Sequence, residues 1–249
     1  MGWRQTGEEL DESALANRRG SFSLENLPEE TLVLTCGVDV QHDRLESVTL
    51  AHSRTETCVV DARVFWGPIN DSDVLWAELD AFLAQKHIHP GGGILRMNAG
   101  AVDSSDGQTM NRVLAFCQPK LSRRIVPIKG ADGQRPAIRA SATKGQRLFI
   151  VGVDGIKANL TERLMHGTSI RFSDTLDTPF FEELASERRV VKYQRGAPKA
   201  SWERIPGKRA EALDCVVYAL AVRNLVGVNL DLRERELADR DKALTGKPL

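Results

Sequence analysis

Asp39 stands inside an almost unbroken apolar run over residues 32–40, the pattern of a strand buried on both faces. A carboxylate there resists losing its water unless positive charge sits beside it. Two more acids keep similar company: Asp103 ends the apolar run 94–102, and Asp214 lies in the apolar helical stretch 210–220. Three carboxylates at the edges of a core, far apart in sequence, point to one divalent-metal site. Mg²⁺ and Mn²⁺ are hard cations that take oxygen ligands. Two such ions about 3.5–4 Å apart activate a water and stabilise the leaving oxygen of a phosphodiester. Converging carboxylates are needed because the metals neutralise what is otherwise mutual repulsion. Asp106, Glu46 and Glu211 are candidates for a fourth contact, and Glu211 shares a helix face with Asp214 three residues on. Each acid also has a structural reading. Asp39 would anchor the turn after its strand, Asp103 would cap the next helix, and Asp214 would pair with a base such as Arg209. Their joint occurrence in this order of elements favours the site.

The basic residues extend that reading. Lys129 follows a buried strand expected over 125–128 and is placed to reach a phosphate near the metals. Lys157 and the residues Lys192, Arg195 and Lys199 of a basic hairpin are candidates for sequence-independent contacts to a DNA backbone. The net charge of zero is unevenly spread: residues 119–210 hold nineteen Lys/Arg against nine Asp/Glu, and the remainder carries the opposite balance. That asymmetry suits a polyanion-facing middle. No G-x-x-x-x-G-K-[ST] phosphate loop and no G-x-S-x-G elbow occurs. The four cysteines lie in apolar segments without C-x-x-C spacing and read as reduced core thiols. His87 and His89 read as the solvated end of a helix rather than as ligands. No run approaches the roughly 20 apolar residues of a membrane span, and the N-terminus lacks signal-peptide order, so a cytosolic protein without membrane contact is expected.

These residues need elements to position them. Residues 1–30 are polar and read as a linker or short arm. Three strands, at 32–40, 45–52 and 57–65, joined by short turns, form an antiparallel meander. Alternating helix and strand follow: a helix over 74–85 capped by 71–73, the strand ending at Asp103, a helix over 109–117, strands at 125–128 and 148–153, and helices over 157–165 and 179–187. A hairpin at 190–194 and 200–205 and a long helix over 208–226 complete the domain, 31–227. Residues 228–249, charged and poor in large apolar groups, read as a tail or docking peptide. The sum is an α/β mixed sheet, three antiparallel strands then parallel ones, flanked by helices. Sites in such sheets form at strand ends beside the central strand. Strand one is the natural centre.

Four ordered segments carry a family resemblance: Gly37-Val38-Asp39-Val40-Gln41-His42-Asp43-Arg44-Leu45-Glu46, then Ala101-Val102-Asp103-Ser104, then Val126-Pro127-Ile128-Lys129-Gly130, and then Arg209-Ala210-Glu211-Ala212-Leu213-Asp214-Cys215 with the apolar helix that follows. Together they resemble the nuclease domain of lambda-like (GpA-type) large terminase subunits of tailed phages. Trp3-Arg4-Gln5-Thr6-Gly7-Glu8-Glu9-Leu10-Asp11 is similar to the segment joining that family's motor to its nuclease. The resemblance implies an RNase H-like fold and a Mg²⁺- or Mn²⁺-dependent endonuclease cutting concatemeric double-stranded DNA during packaging in the host cytoplasm. It implies Asp39, Asp103 and Asp214 as metal ligands, with a small terminase subunit, a portal protein and an N-terminal ATPase domain as partners. That ATPase has no counterpart here, in keeping with the missing phosphate loop. Where the family has Asp-Ser-Gly this chain has Asp103-Ser104-Ser105-Asp106-Gly107, which leaves Asp103 or Asp106 as the second acid. Where the family often has Arg-Asn-Glu, this chain has Arg209-Ala210-Glu211. Two competing readings are a catalytically idle DNA-holding or portal-docking module of the same fold and an actin-like ATPase. The second lacks the glycine-rich turn that must follow its strand acid.

Overall fold

The structure is a computed structural model describing residues 4–6, 9–142, 147–167, 169–194 and 197–245. The chain opens with β1 (Arg4–Thr6), α1 (Glu12–Ala16) and β2 (Arg19–Gly20), then the meander β3 (Val33–Val40), β4 (Arg44–His52) and β5 (Thr57–Trp66). After it come α2 (Asp73–Leu83), β6 (Lys86–Ile88), β7 (Ile94–Asp103), α3 (Met110–Cys117), β8 (Ile125–Ala131), β9 (Ile138–Ala140) and β10 (Phe149–Gly152). The last elements are α4 (Val153–His166), β11 (Ile170–Ser173), α5 (Thr178–Leu184), β12 (Glu187–Gln194), β13 (Ala197–Arg204), α6 (Glu211–Val222) and α7 (Leu230–Thr245).

One large sheet runs β2-β11-β5-β4-β3-β7-β8-β10-β9, and β6 pairs with β7. β3, β4 and β5 are antiparallel, whereas β7, β8 and β10 run parallel to β3. This is the expected mixed sheet, with β3 at its centre. All eight β3 residues are buried because helices cover both faces. Leu34, Cys36 and Val38 face α2 and α3, while Val33 belongs to the core beneath α4, α5 and α6. A continuous apolar run is what such two-sided burial demands. The four cysteines are free and buried, as expected.

α6 lies so close to β3 that position 37 has to be glycine. A Cβ at Gly37 would stand 2.0 Å from the Cys215 carbonyl oxygen and 2.8 Å from the Ala219 nitrogen. Both are backbone atoms of a packed helix and have no rotamer with which to yield. Gly37→Ala is therefore expected to cost roughly 3 kcal/mol or more, at the severe end of overpacking. That lowers the melting temperature by about 6–12 °C for a chain of this length. A thermal scan within 2 °C of wild type would contradict the contact.

Several elements depart from the sequence expectations. β11 was not foreseen, because four residues are too few to display a period; it pairs in parallel with β5. Residues 228–249 are expected to form a tail or docking peptide; over the described part, α7 is a helix with Leu230 and Leu237, seven residues apart, packed against the core. Arg233 donates to the Leu32 carbonyl, and Arg54 holds Glu234 at 2.8 Å. His87 and His89 are not at a solvated helix end. His87 is on β6 and both rings are buried beside the sheet, their titration pushed down first by burial. Among the described residues, no single helix is long and apolar enough to cross a membrane.

Candidate active site

Parallel pairing of β3 with β7 sets Val38 beside Val102, so Asp39 and Asp103 emerge together at the carboxyl ends of neighbouring strands. Strand alternation turns both toward α6. On that face Thr35 Oγ1 donates to the Ala219 carbonyl at 2.9 Å, and Ala99 and Ala101 pack into the core under α6. The Gly37 contact falls on Cys215, the residue after Asp214. Three elements distant in sequence thus bring three aspartates to one end of the sheet.

Their electrostatics agree with that placement. Burial pushes the Asp39 carboxyl up to about 7; the Gln41 amide, donating to Oδ2, opposes the rise, and the charges of Asp103, Asp214 and Glu211 add to it. Asp103 and Asp214 are also raised, burial being the first cause in each. Tyr218, one turn beyond Asp214, is buried, and its hydroxyl is held well above its ordinary range by burial and then by Asp103, Asp214 and Asp39.

The Asp39 shift has a sign that can be checked. Its value in the folded chain exceeds the ordinary value near 4, so folding favours the protonated form. This contribution is fully present below about pH 4 and is lost as pH rises through about 7. Asp103 and Asp214 act in the same direction. In chelator, the melting temperature is expected to fall between pH 5 and pH 8, with Asp39→Asn flattening much of the slope. At about 1.4 kcal/mol per unit, the Asp39 part amounts to a few kcal/mol. A pH-independent melt, or a slope unchanged in Asp39→Asn, would contradict the buried carboxylate.

Each aspartate has a local partner. Asp39 takes Gln41; Asp103 Oδ1 accepts from the Ser105 N–H at 3.1 Å and its hydroxyl at 2.7 Å; Asp214 Oδ1 stands 3.3 Å from Lys157 Nζ. Among the described residues, no three carboxylates, imidazoles or thiols surround one point at ligating distance. The donor chemistry nonetheless fits a hard divalent cation: carboxylates on adjacent strand ends and the facing helix, poorly solvated and mutually repelling. Closing on an ion requires side-chain rotation.

The remaining sequence candidates separate clearly. Asp103 rather than Asp106 interacts with the other two aspartates, because Asp106 Oδ1 accepts the Gln108 N–H at 3.1 Å and its carbonyl accepts from Met110 in the turn into α3. Glu46 lies opposite Asp39 in register but turns to arginines: its Oε1 accepts from Arg44 Nε at 2.6 Å and from Arg209. Glu211 joins them, with Arg209 Nε 3.3 Å from its Oε2 and from Glu183 Oε1. Arg209 therefore ties β4, α5 and the start of α6 together. α6 was expected from 208; it begins at Glu211, and the residues before it deliver this arginine. Beside this network lies a groove of about 300 Å³ whose lining includes Glu46, Val64, Phe180 and Glu183 but none of the three aspartates.

Lys157 does not lie on the DNA-facing surface that the sequence suggests: it is buried, with Nζ 2.8 Å from Glu187 Oε2 and 3.3 Å from Asp214 Oδ1. Burial alone would lower its titration, yet the two carboxylates raise it, so it stays cationic. Lys129 is exposed at the same sheet end, but alternation along β8 directs it away from Ile128 and the aspartates, toward the opposite face. Arg195 lies outside the described residues, as do the side chains of Lys192 and Lys199; the register sets Lys192 opposite Lys199 in the hairpin. Sequence reasoning missed Glu187, Arg204, Tyr218, Glu183 and Arg44. Arg204, in register with Glu187, lies 4.0 Å from Asp214 Oδ2. No spacing signal announces such partners; only Tyr218, four residues after Asp214, follows from helical period.

A family model described as the endonuclease domain of terminase large subunit gpA matches residues 1–236. The terminase large subunit of Enterobacteria phage P21 is 28% identical over 243 residues, covering 88% of this chain and 36% of that protein. The terminase large subunit of Escherichia phage lambda is 25% identical over 264 residues, covering 97% of this chain and 40% of that protein. The chain thus spans well under half the length of these relatives. Among solved structures, a variant nuclease domain of the large terminase subunit gp2 of bacterial virus Sf6 with manganese has a TM-score of 0.51. It shares 10% identity, with 86% of this chain and 97% of that one covered. The likeness is one of fold, the RNase H-like mixed sheet.

Proposed function

Because the chain belongs to the gpA endonuclease-domain family of terminase large subunits, we propose that it is a divalent-metal-dependent endonuclease that cuts concatemeric double-stranded DNA during genome packaging. The observation that carries this reading is the gathering of Asp39, Asp103 and Asp214 from β3, β7 and α6 at one sheet end. These three would hold Mg²⁺ or Mn²⁺, with two ions as the working number. Held there, such ions would supply activation of a water and stabilisation of the leaving oxygen of a phosphodiester.

The protein's own residues prepare that set. Gln41 and Ser105 orient the Asp39 and Asp103 carboxyls, and Lys157 holds Asp214 while balancing Glu187. The network around Arg209 seats the N-terminus of α6, which carries Asp214. Lys129, on the other face of the same end, is assigned to the DNA backbone rather than the reacting phosphate. Lys192, Arg195 and Lys199 keep their assignment to sequence-independent backbone contacts. The small subunit, the portal and an ATPase domain are the partners this role requires.

The idle-module reading draws on one specific observation: every aspartate already has a local partner and no three share a ligating point among the described residues. A supercoiled plasmid incubated with the protein and Mg²⁺ or Mn²⁺ separates the two. Nicked and linear products that vanish with chelator are expected. An intact plasmid, together with metal-independent DNA binding, would establish the idle module instead.

A further inference from the structure

Trp66 ends β5 with 67% of its surface in water, the one large exposed aromatic among the described residues. Scattered exposed apolar residues are ordinary, but this one is placed with respect to the aspartates. The register forms a row from Asp39 through Glu46 to Val64, and the next outward pair is Arg44 with Trp66. From strand spacing and rise, Trp66 lies about 12 Å from Asp39, backbone to backbone. That is a reach of one or two nucleotides from a phosphate at the acids. Val64, two residues earlier on the same face, is 42% exposed and continues the apolar strip toward Glu46.

The ring is seated rather than loose. The Arg44 guanidinium stands 5.6 Å from its centroid, and Arg44 is itself anchored on Asp43 at 2.8 Å and Glu46 at 2.6 Å. The chemistry of this flank also selects its ligand. Glu46, Glu183 and Glu211 occupy Arg44 and Arg209, so no uncommitted cation among them faces a phosphate. What the flank offers DNA is an aromatic surface and a valine, which suit an uncharged nucleobase. A base can reach them only when it is out of its stack.

We propose that Trp66, with Val64 beside it, is a stacking platform for an unpaired base of the DNA next to the cut. This rests on the nuclease reading above for its location but is tested by binding. The probes are two fluorescein-labelled duplexes of equal length, one fully paired and one with a short central bubble. Anisotropy titrations in chelator compare wild type, Trp66→Ala and Trp66→Phe, with thermal melts checking that each variant folds. Trp66→Ala is expected to weaken binding of the bubble by roughly five- to a hundred-fold, the range that base–aromatic stacking supports. Binding of the paired duplex should stay within about two-fold, and Trp66→Phe should recover most of the loss, because a ring remains for stacking. Bubble binding by Trp66→Ala within two-fold of wild type overturns the proposal. So does an equal loss on both probes, or Trp66→Phe as weak as alanine. If wild type nicks plasmid while Trp66→Ala binds the bubble normally, only this inference falls. If wild type never nicks plasmid yet bubble binding depends on Trp66, the platform stands and the nuclease reading falls.

Discussion

Asp39→Asn is expected to reduce Mn²⁺-dependent plasmid nicking by at least about a thousand-fold while leaving the fold as stable as wild type or more so. The first half follows from charge: an amide is a poor ligand for a hard cation, and metal stabilisation of a developing charge contributes several kcal/mol. At 1.36 kcal/mol per tenfold in rate, three decades is the natural scale. The second half is what separates a functional acid from a structural one. Asp39 is 6% exposed and burial pushes its carboxyl up to about 7, so at pH 8 the metal-free domain carries an unfavourable buried charge. Asparagine removes that charge at nearly the same volume. Asp214→Asn should match the loss of cleavage without necessarily matching the stability, because Asp214 also faces Lys157. Wild-type cutting by Asp39→Asn would dismiss the site, and a large fall in melting temperature would make the carboxylate structural.

Lys157→Met should produce the largest loss of stability among single changes near the site. Its ammonium stands between Glu187 and Asp214 in a buried position, and removing it leaves Glu187 without its ion-pair partner and Asp214 with only Arg204, at 4.0 Å. Breaking a buried pair in this way typically costs about 3–5 kcal/mol, or about 6–20 °C at this chain length. A double variant with Glu187→Gln should regain part of the loss, since the carboxylate that lost its partner is then neutral. Thermal melts of the two variants decide the matter. A Lys157→Met melt like wild type would return Lys157 to the solvated surface that its sequence context suggests, and failure of Glu187→Gln to help would remove Glu187 from the trio.

The contrast between these two residues shows where the sequence was legible. Asp39, Asp103 and Asp214 stood out because a charge in an apolar run is costly, and the cost is visible in one dimension. Lys157 gave no such signal, since a lysine among polar helix residues reads as solvated; its burial depends on where α4 lies against α6 and β12. Glu46 was readable as a neighbour of Asp39 through hairpin register, but not as a partner of Arg209, 163 residues away. Lys129 was expected just after a strand over 125–128, whereas β8 continues to Ala131 and alternation along it decides which face Lys129 takes.

The amino-acid order by itself determined the central strand, the antiparallel-then-parallel sheet and the three aspartates, because periodicity and the desolvation penalty act locally along the chain. The tertiary structure alone decided which carboxylates meet and which are neutralised. That depends on Gly37 admitting a helix backbone against β3 and on ion pairs between segments more than a hundred residues apart. Charges interact through space, and the order of residues records only their distance along the chain.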